Sequence, residues 1–234
     1  MEASKKNRYS ICVVGAGYVG MSLGVLLAKE NNVIFLDLDD KKVDQINKGK
    51  STVLDNDIEN HIRDENLNIT ATTSSNKSLA KADFIIVATP TNFDDSKNAF
   101  DTSSVDSVVE ESILLNENAL IVIKSTIPIG HTKFLQKKFK SDRIIFSPEF
   151  LREGSALYDN LNPSRIIIGD KLNNDSKVFA NLLLSSAVKS DVEIIYTGPS
   201  EAESIKLFSN SYLAMRVSYF NELDSFAMKN NLST

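Results

Sequence analysis

The chain has 234 residues, 42% of them hydrophobic and 24% charged, and a net charge of −5. That balance describes an ordinary soluble globular protein, with no basic footprint for nucleic acid and no apolar run long enough to span a membrane. A single cysteine, Cys12, excludes an intramolecular disulfide framework. Residues 1–8 lack the apolar core of a secretory signal, so a cytoplasmic protein is expected. His61 and His131 have no metal-ligand spacing around them, and no metal site is expected.

In chain order, the first apolar run is Tyr9-Ser10-Ile11-Cys12-Val13-Val14, a strand. The turn Gly15-Ala16-Gly17-Tyr18-Val19-Gly20 follows and opens a helical pattern through Met21, Leu23, Val25, Leu26 and Leu27. A second strand, Val33-Ile34-Phe35-Leu36, ends in Asp37. Strand, glycine-rich turn, helix, strand, acid is the order of the dinucleotide-binding fingerprint. Gly15 permits the tight turn, Gly17 lets a pyrophosphate approach the backbone, and Gly20 lets the helix pack close to the sheet. The helix N-terminus offers unpaired N–H groups and a positive dipole end to the phosphates. Asp37 can accept from both ribose hydroxyls, and a carboxylate there repels a 2′-phosphate. NAD is therefore the expected cofactor, rather than NADP.

Beyond Asp37, residues 41–48 read as a short helix with Val43 and Ile46 inward, and 57–64 as another. Strands are expected at 67–71, 83–88, 119–123, 143–146, 165–168 and 192–196. Helices are expected from Asp101 or Thr102 to about 116, over 128–139 with Pro128 near the first turn, and over 177–187. Ser200-Glu201-Ala202-Glu203 has the form of a capping box. From there to Lys229 neither Pro nor Gly occurs, which predicts a helix of roughly 45 Å at about 1.5 Å per residue. It carries Ile205, Phe208, Tyr212, Leu213, Met215, Tyr219, Phe220, Leu223 and Phe226, more apolar surface than one sheet can cover. Such a helix reads as an inter-domain or inter-subunit element.

The alternation argues for an α/β fold with a doubly wound, mostly parallel sheet of the Rossmann type, followed by a long connecting helix. Residues 1–198 would form the NAD domain and 199–234 the helix. Ligands in such sheets bind beyond the carboxyl ends of the strands. Thr89-Pro90-Thr91 and Lys124-Ser125-Thr126 lie at such ends, on the same rim as the glycine turn.

Two groups of polar residues are candidates for chemistry. Ser147-Pro148-Glu149-Phe150-Leu151-Arg152-Glu153-Gly154 follows a strand and holds two carboxylates and a guanidinium. Glu149 and Glu153 would share a face if the segment is helical; the plainer alternative is a surface turn with a solvated ion pair. Lys206 and Asn210, also four apart, are two donors near the start of the last helix and would suit an oxyanion. A polar stripe on an amphipathic helix accounts for them equally well. Cys12, inside an apolar strand, reads as a core residue rather than a nucleophile.

Taken together, these segments resemble the UDP-glucose/GDP-mannose dehydrogenase family. The likeness rests on the glycine turn, Ala88-Thr89-Pro90-Thr91, Lys124-Ser125-Thr126-Ile127-Pro128-Ile129-Gly130, the run from Ser147 to Gly154, and Glu201-Ala202-Glu203-Ser204-Ile205-Lys206-Leu207-Phe208-Ser209-Asn210. Ala156-Leu157-Tyr158-Asp159-Asn160-Leu161 and Pro163-Ser164-Arg165 add to it.

The resemblance implies oxidation of a sugar-nucleotide C6 alcohol to a carboxylate with two NAD. UDP-glucose is the favoured substrate, ahead of an N-acetylmannosamine or GDP-mannose type. It implies that Gly15, Gly17, Tyr18, Val19, Gly20, Asp37, Lys42, Thr91, Thr126 and Glu153 contact NAD. Glu149, Phe150, Leu151, Arg152 and Glu153 would line the substrate pocket with Lys206 and Asn210. Thr126, Glu149, Glu153, Lys206 and Asn210 would be catalytic, the last two at the oxyanion and Glu149 as a base in thioester hydrolysis. The family's cysteine nucleophile and nucleotide-sugar domain would lie beyond Thr234, so these residues alone are expected to bind NAD, to bind UDP-glucose weakly or not at all, and to give no net turnover. A homodimer through the long helix is expected. A non-catalytic NAD-binding or dimerisation module is the alternative.

Overall fold

The computed structural model describes residues 8–64, 66–96, 98–171 and 173–233. Strands β1 (Ser10–Val14), β2 (Asn32–Leu36), β3 (Ile69–Thr72) and β4 (Phe84–Val87) come first. A small antiparallel hairpin, β5 (Phe93–Asp94) and β6 (Ala99–Phe100), precedes β7 (Leu120–Ile123), β8 (Ile144–Phe146), β9 (Arg165–Gly169) and β10 (Glu193–Thr197). Eight of the strands form one sheet in the order β10-β9-β8-β7-β4-β1-β2-β3. All neighbours are parallel except β8 and β9, which meet antiparallel at Phe146 and Gly169. The direction of winding reverses between β1 and β4, and such a switch point opens a crevice at the carboxyl rim.

Helices α1 (Tyr18–Ala28), α2 (Asp40–Asn47), α3 (Asn56–Asp64), α4 (Ser75–Leu79), α5 (Ser103–Leu115), α6 (His131–Phe139), α7 (Ala156–Leu161), α8 (Asn174–Ser186) and α9 (Pro199–Lys229) complete the chain. Strands β1, β4, β7, β8 and β9 bury both faces, as apolar strands of a parallel sheet do, while the edge strands β3 and β10 are only partly covered. Along β1, Ile11 and Val13 enter one core with Phe35, Val122, Phe179 and the buried face of α1. Cys12 and Val14 enter the other with Ile85, Ile121, Phe146, Val105 and Ala202.

Several boundaries differ from the pattern-based expectation, each for a physical reason. Helix α6 begins at His131, not at Pro128, because its first N–H groups are taken by a side chain from far along the chain. That side chain is Glu203, which accepts from Gly130 N–H at 2.5 Å, Thr132 N–H at 2.8 Å and Thr132 Oγ1 at 2.6 Å. The capping box expected at Ser200 therefore does not form. Glu203 is fully buried, caps α6 and ties α9 to it, while α9 starts at Pro199 with proline in its first turn. Helix α8 starts at Asn174 because Asn173 and Ser176 make a reciprocal cap. Helices α4 and α7 and the β5–β6 hairpin are too short to show a periodicity, and no pattern anticipates them.

Helix α9 divides into two parts. Near its start Ala202, Glu203 and Lys206 are buried, whereas Phe208, Tyr212, Met215, Tyr219 and Phe220 are exposed. Among the described residues, no helix is long and apolar enough to cross a membrane.

Candidate functional site

Sterics set the glycine turn. Gly15 has φ +97°, and a Cβ there would stand 2.6 Å from the Ala88 carbonyl oxygen. A Cβ on Gly20 would stand 1.8 Å from the Gly15 oxygen, so helix and turn meet only without it. A Cβ on Gly17 would meet nothing within 4 Å, which leaves open space above the turn. Gly17 caps α1 without a side chain, so the N–H groups of the first turn face that space. This is the cradle a pyrophosphate requires, and the residues present fit NAD.

The peptide of Ala16 is gripped from both sides. Its N–H donates to Asp37 Oδ2 at 2.8 Å, and its carbonyl accepts from Thr52 Oγ1 at 2.7 Å. Asp37 Oδ1 accepts from Asp39 N–H at 3.0 Å, and Lys42 Nζ stands 3.7 Å from Asp37 Oδ2. A carboxylate has about four acceptor positions, so Asp37 can brace the turn and still receive ribose hydroxyls.

Across the switch point, Ser125 Oγ donates to Thr89 O at 2.6 Å, and Ser104 Oγ donates to Pro90 O at 2.8 Å. A cavity of about 390 Å³ opens between residues 17–19, 88–91 and 124–126, with Glu149, Leu151 and Glu153 closing it. Tyr18, Val19, Thr91, Thr126 and Glu153, singled out from the sequence, thus share one space with Gly17. Gly15, Gly20, Asp37 and Lys42 lie behind and beside the turn.

Residues 147–152 form an irregular segment and 153–154 a turn, so Glu149 and Glu153 do not share a helical face. They diverge. Glu149 turns inward, with Oε1 2.6 Å from Lys206 Nζ and Oε2 accepting from Leu151 N–H at 2.9 Å. Lys206 also donates to the Glu149 carbonyl at 2.7 Å. Glu153 stays exposed at the mouth of the cavity. Arg152 swings onto Asp159 at 2.7 and 3.1 Å, a bidentate surface pair. Hydrogen bonding from Arg152 holds the Asp159 carboxyl below the usual range. The ring of Phe150 lies under the Arg165 guanidinium at 4.4 Å. Asn210 is exposed, one turn beyond Lys206.

Lys124 opens the polar strand end Lys124-Ser125-Thr126, and its pattern in the sequence assigns it no role of its own. Its side chain is buried beneath the 147–149 segment, with Nζ donating to Ser147 Oγ at 3.2 Å and Pro148 O at 3.4 Å. Burial lowers its pKa to about 8, against the pull of Glu149 and with the push of Lys206. The signal was available: a lysine directly after the wholly buried Leu-Ile-Val-Ile of β7 has no route to open solvent. Cys12 is fully buried, and desolvation pushes its thiol up to about 12, so it is no nucleophile.

The NAD-binding domain of the UDP-glucose/GDP-mannose dehydrogenase family matches residues 9–185. The chain belongs to this family. The UDP-glucose 6-dehydrogenase of Campylobacter jejuni is 47% identical over 226 residues, covering 96% of this chain and 57% of that protein. Its counterpart from Streptococcus pneumoniae is 48% identical over 223 residues, covering 93% and 56%. The chain thus spans little more than half the length of the curated relatives it matches. Among solved structures, a UDP-glucose dehydrogenase from Pyrobaculum islandicum superposes with a TM-score of 0.81 at 26% identity, covering 94% of this chain and 54% of that one. A GDP-mannose dehydrogenase from Pseudomonas aeruginosa gives a TM-score of 0.85 at 24% identity, a likeness of fold. The matched domain is the family's NAD-binding domain, which makes NAD the cofactor of this chain.

Proposed function

We propose that residues 1–198 form the NAD domain of a UDP-glucose 6-dehydrogenase, with 199–234 as a connecting helix. The observation that carries the reading is Glu149. It forms a wall of the cofactor cavity and is held at 2.6 Å by Lys206 from α9. The pair brings a carboxylate and an ammonium to the edge of the space that NAD would fill. The identity to two UDP-glucose 6-dehydrogenases supports this substrate over UDP-N-acetylmannosamine or GDP-mannose.

NAD supplies the hydride acceptor. Gly17 and the first turn of α1 would receive its diphosphate, Val19, Asp37 and Lys42 would contact its adenosine end, Tyr18, Thr91 and Thr126 would stand near the cofactor, and Glu153 would reach toward the nicotinamide. Lys206, with Asn210 one turn on, would stabilise the C6 oxyanion that forms when the hydroxyl proton passes to water and from which hydride then leaves. Glu149 takes up a proton from water in the later hydrolysis. Phe150, Leu151 and Arg152 flank the sugar nucleotide. The thiol for the second oxidation is not Cys12.

Two outcomes are expected. The 234-residue protein binds NAD, and with UDP-glucose it forms no steady NADH, as followed by absorbance. Steady NADH formation overturns the assignment of the nucleophile to other residues. A larger change in NADH fluorescence with GDP-mannose than with UDP-glucose overturns the substrate.

The exposed apolar half of α9 supports self-association through this helix. Light scattering should give a dimer, and a strict monomer at high concentration removes it.

A further inference from the structure

We propose that Asp55 is a positioning residue of the cofactor site. By capping α7 it sets where the Glu153 carboxylate stands, and so how firmly the nicotinamide end of the cofactor is held. The inference rests on the cofactor site as proposed above.

Glu153 lines the mouth of the cavity and is exposed. Among the described residues its carboxylate has no partner, so its place depends on the backbone that carries it. That backbone is neither helix nor strand, and it hangs from α7 on both sides. Just before Glu153, the Arg152 N–H donates to Asp159 Oδ2 at 2.8 Å. Just after it, the Ala156 N–H donates to Asp55 Oδ2 at 2.7 Å, and the Leu157 N–H reaches the same oxygen at 3.4 Å. A Cβ on Gly154 would stand 3.8 Å from the Leu54 carbonyl oxygen, so the turn and the Asp55 loop run side by side.

Asp55 is itself fixed. It is only 3% exposed, and its Oδ1 accepts from the Asp57 N–H at 3.0 Å and the Ile58 N–H at 3.2 Å, in the first turn of α3. One carboxylate thus caps two helices, where backbone N–H groups and the helix dipoles favour a negative charge. On the same loop, Thr52 Oγ1 holds the Ala16 carbonyl of the glycine turn at 2.7 Å, and Val53 packs against the core that contains Ile58 and Leu157. Further along α7, Asn160 Nδ2 donates to Ser22 Oγ of α1 at 2.8 Å, and Ser22 Oγ donates to Val19 O at 3.1 Å. Residues 52–55 therefore bridge the glycine turn and α7. The loop that steadies the diphosphate cradle also fixes how far from it Glu153 stands.

A hydrogen bond can read that distance. The carboxamide of the nicotinamide ring offers N–H donors in both oxidation states, and a carboxylate acceptor makes such a bond roughly twice as strong as a neutral one. A displacement of about 1 Å takes it out of its working range.

Calorimetric titration of the 234-residue protein with NADH and with ADP-ribose, which lacks the ring, tests this. D55E keeps a carboxylate on the loop but lengthens it by one C–C bond, about 1.5 Å, so α7 and Glu153 shift away from the turn. Its Kd for NADH is expected to rise about tenfold, while that for ADP-ribose stays within about twofold of wild type. E153A should show the same split. D55E added to E153A should change neither value by more than about twofold, because the group through which Asp55 acts is gone. Equal losses for both nucleotides would make Asp55 a support of the fold alone and overturn the inference. So would a D55E protein that binds NADH like wild type, or a second full loss in the E153A background. If D55E does not fold, D55N takes its place and must show the same split; failure of both to fold assigns Asp55 to stability and overturns the inference. A wild type that holds NADH no tighter than ADP-ribose overturns it while the cofactor reading stands. If neither nucleotide binds to wild type, the cofactor reading fails and the inference with it.

Discussion

The glycine turn and the segment after β8 face each other across one cavity, and they are held by opposite means. The glycine turn is a matter of backbone and missing side chains. Gly15 and Gly20 have no room for a Cβ, and Asp37 and Thr52 grip a single peptide between them. The segment after β8 is held by charge. Lys206 clamps Glu149 from α9, Lys124 lies beneath, and Arg152 reaches out to Asp159. The first arrangement is set by sterics, with the Asp37 carboxylate as its ionised brace. The second depends on ionised groups, and its strength falls with their exposure. A site built this way keeps the cofactor cradle constant while the wall that meets the reacting atoms remains electrically adjustable.

The comparison is broken most severely at Lys206. K206M leaves the Glu149 carboxylate largely buried without its cation, which costs about 3 kcal/mol. In a chain of this size that lowers Tm by roughly 6–12 °C. The double variant E149L/K206M removes both charges and should recover most of the loss. Denaturant unfolding of the three proteins checks this. A double variant no more stable than K206M shows that packing, rather than charge, holds the segment.

On the other side, G20A and G17A separate sterics from binding. The methyl of G20A is forced against the Gly15 carbonyl, an overpacking cost of about 2 kcal/mol. G17A adds its methyl to open space, so stability should change by no more than about 0.5 kcal/mol. The same methyl stands where the pyrophosphate would lie, and the Kd for NAD should rise about tenfold, a loss of about 1.4 kcal/mol. Thermal unfolding with and without NAD reads both. A G17A protein that binds NAD like wild type would move the phosphate site away from this turn.

The two sides also differ in how much of them the sequence exposes. The glycine turn, its strands and Asp37 lie within 28 consecutive residues, from Ser10 to Asp37, and local pattern suffices to place them. The strand ends at Thr91 and Thr126 were equally legible, because buried apolar runs end where the polar rim begins. The other side was not. Glu149 and Lys206 are 57 positions apart, and nothing in either neighbourhood announces the partner. Spacing suggested pairing Glu149 with Glu153 and Lys206 with Asn210. The fold separated the first pair and left Asn210 exposed beyond the second. Glu203 misled for the same reason: its spacing from Ser200 matched a local cap, while its real partners, Gly130 and Thr132, lie more than 70 residues earlier.

The smallest effect is expected at the outer end of the charged segment. The Arg152 side chain is 71% exposed and its pair with Asp159 faces water, so screening leaves it little strength. R152A should lower Tm less than either K206M or G20A, and about 1 M salt should erase the difference. Its pH dependence has a definite sign. The pair holds Asp159 below its ordinary value of 3.8. The stabilisation is therefore fully present above that value and is lost as pH falls through the lowered one. The gap in Tm between wild type and R152A should be constant near neutrality and close in acid. Should R152A instead match K206M and resist salt, the outer ion pair would be as integral as the inner one. The segment would then be rigid along its whole length, and the contrast with the glycine turn would lie in chemistry alone, not in adjustability.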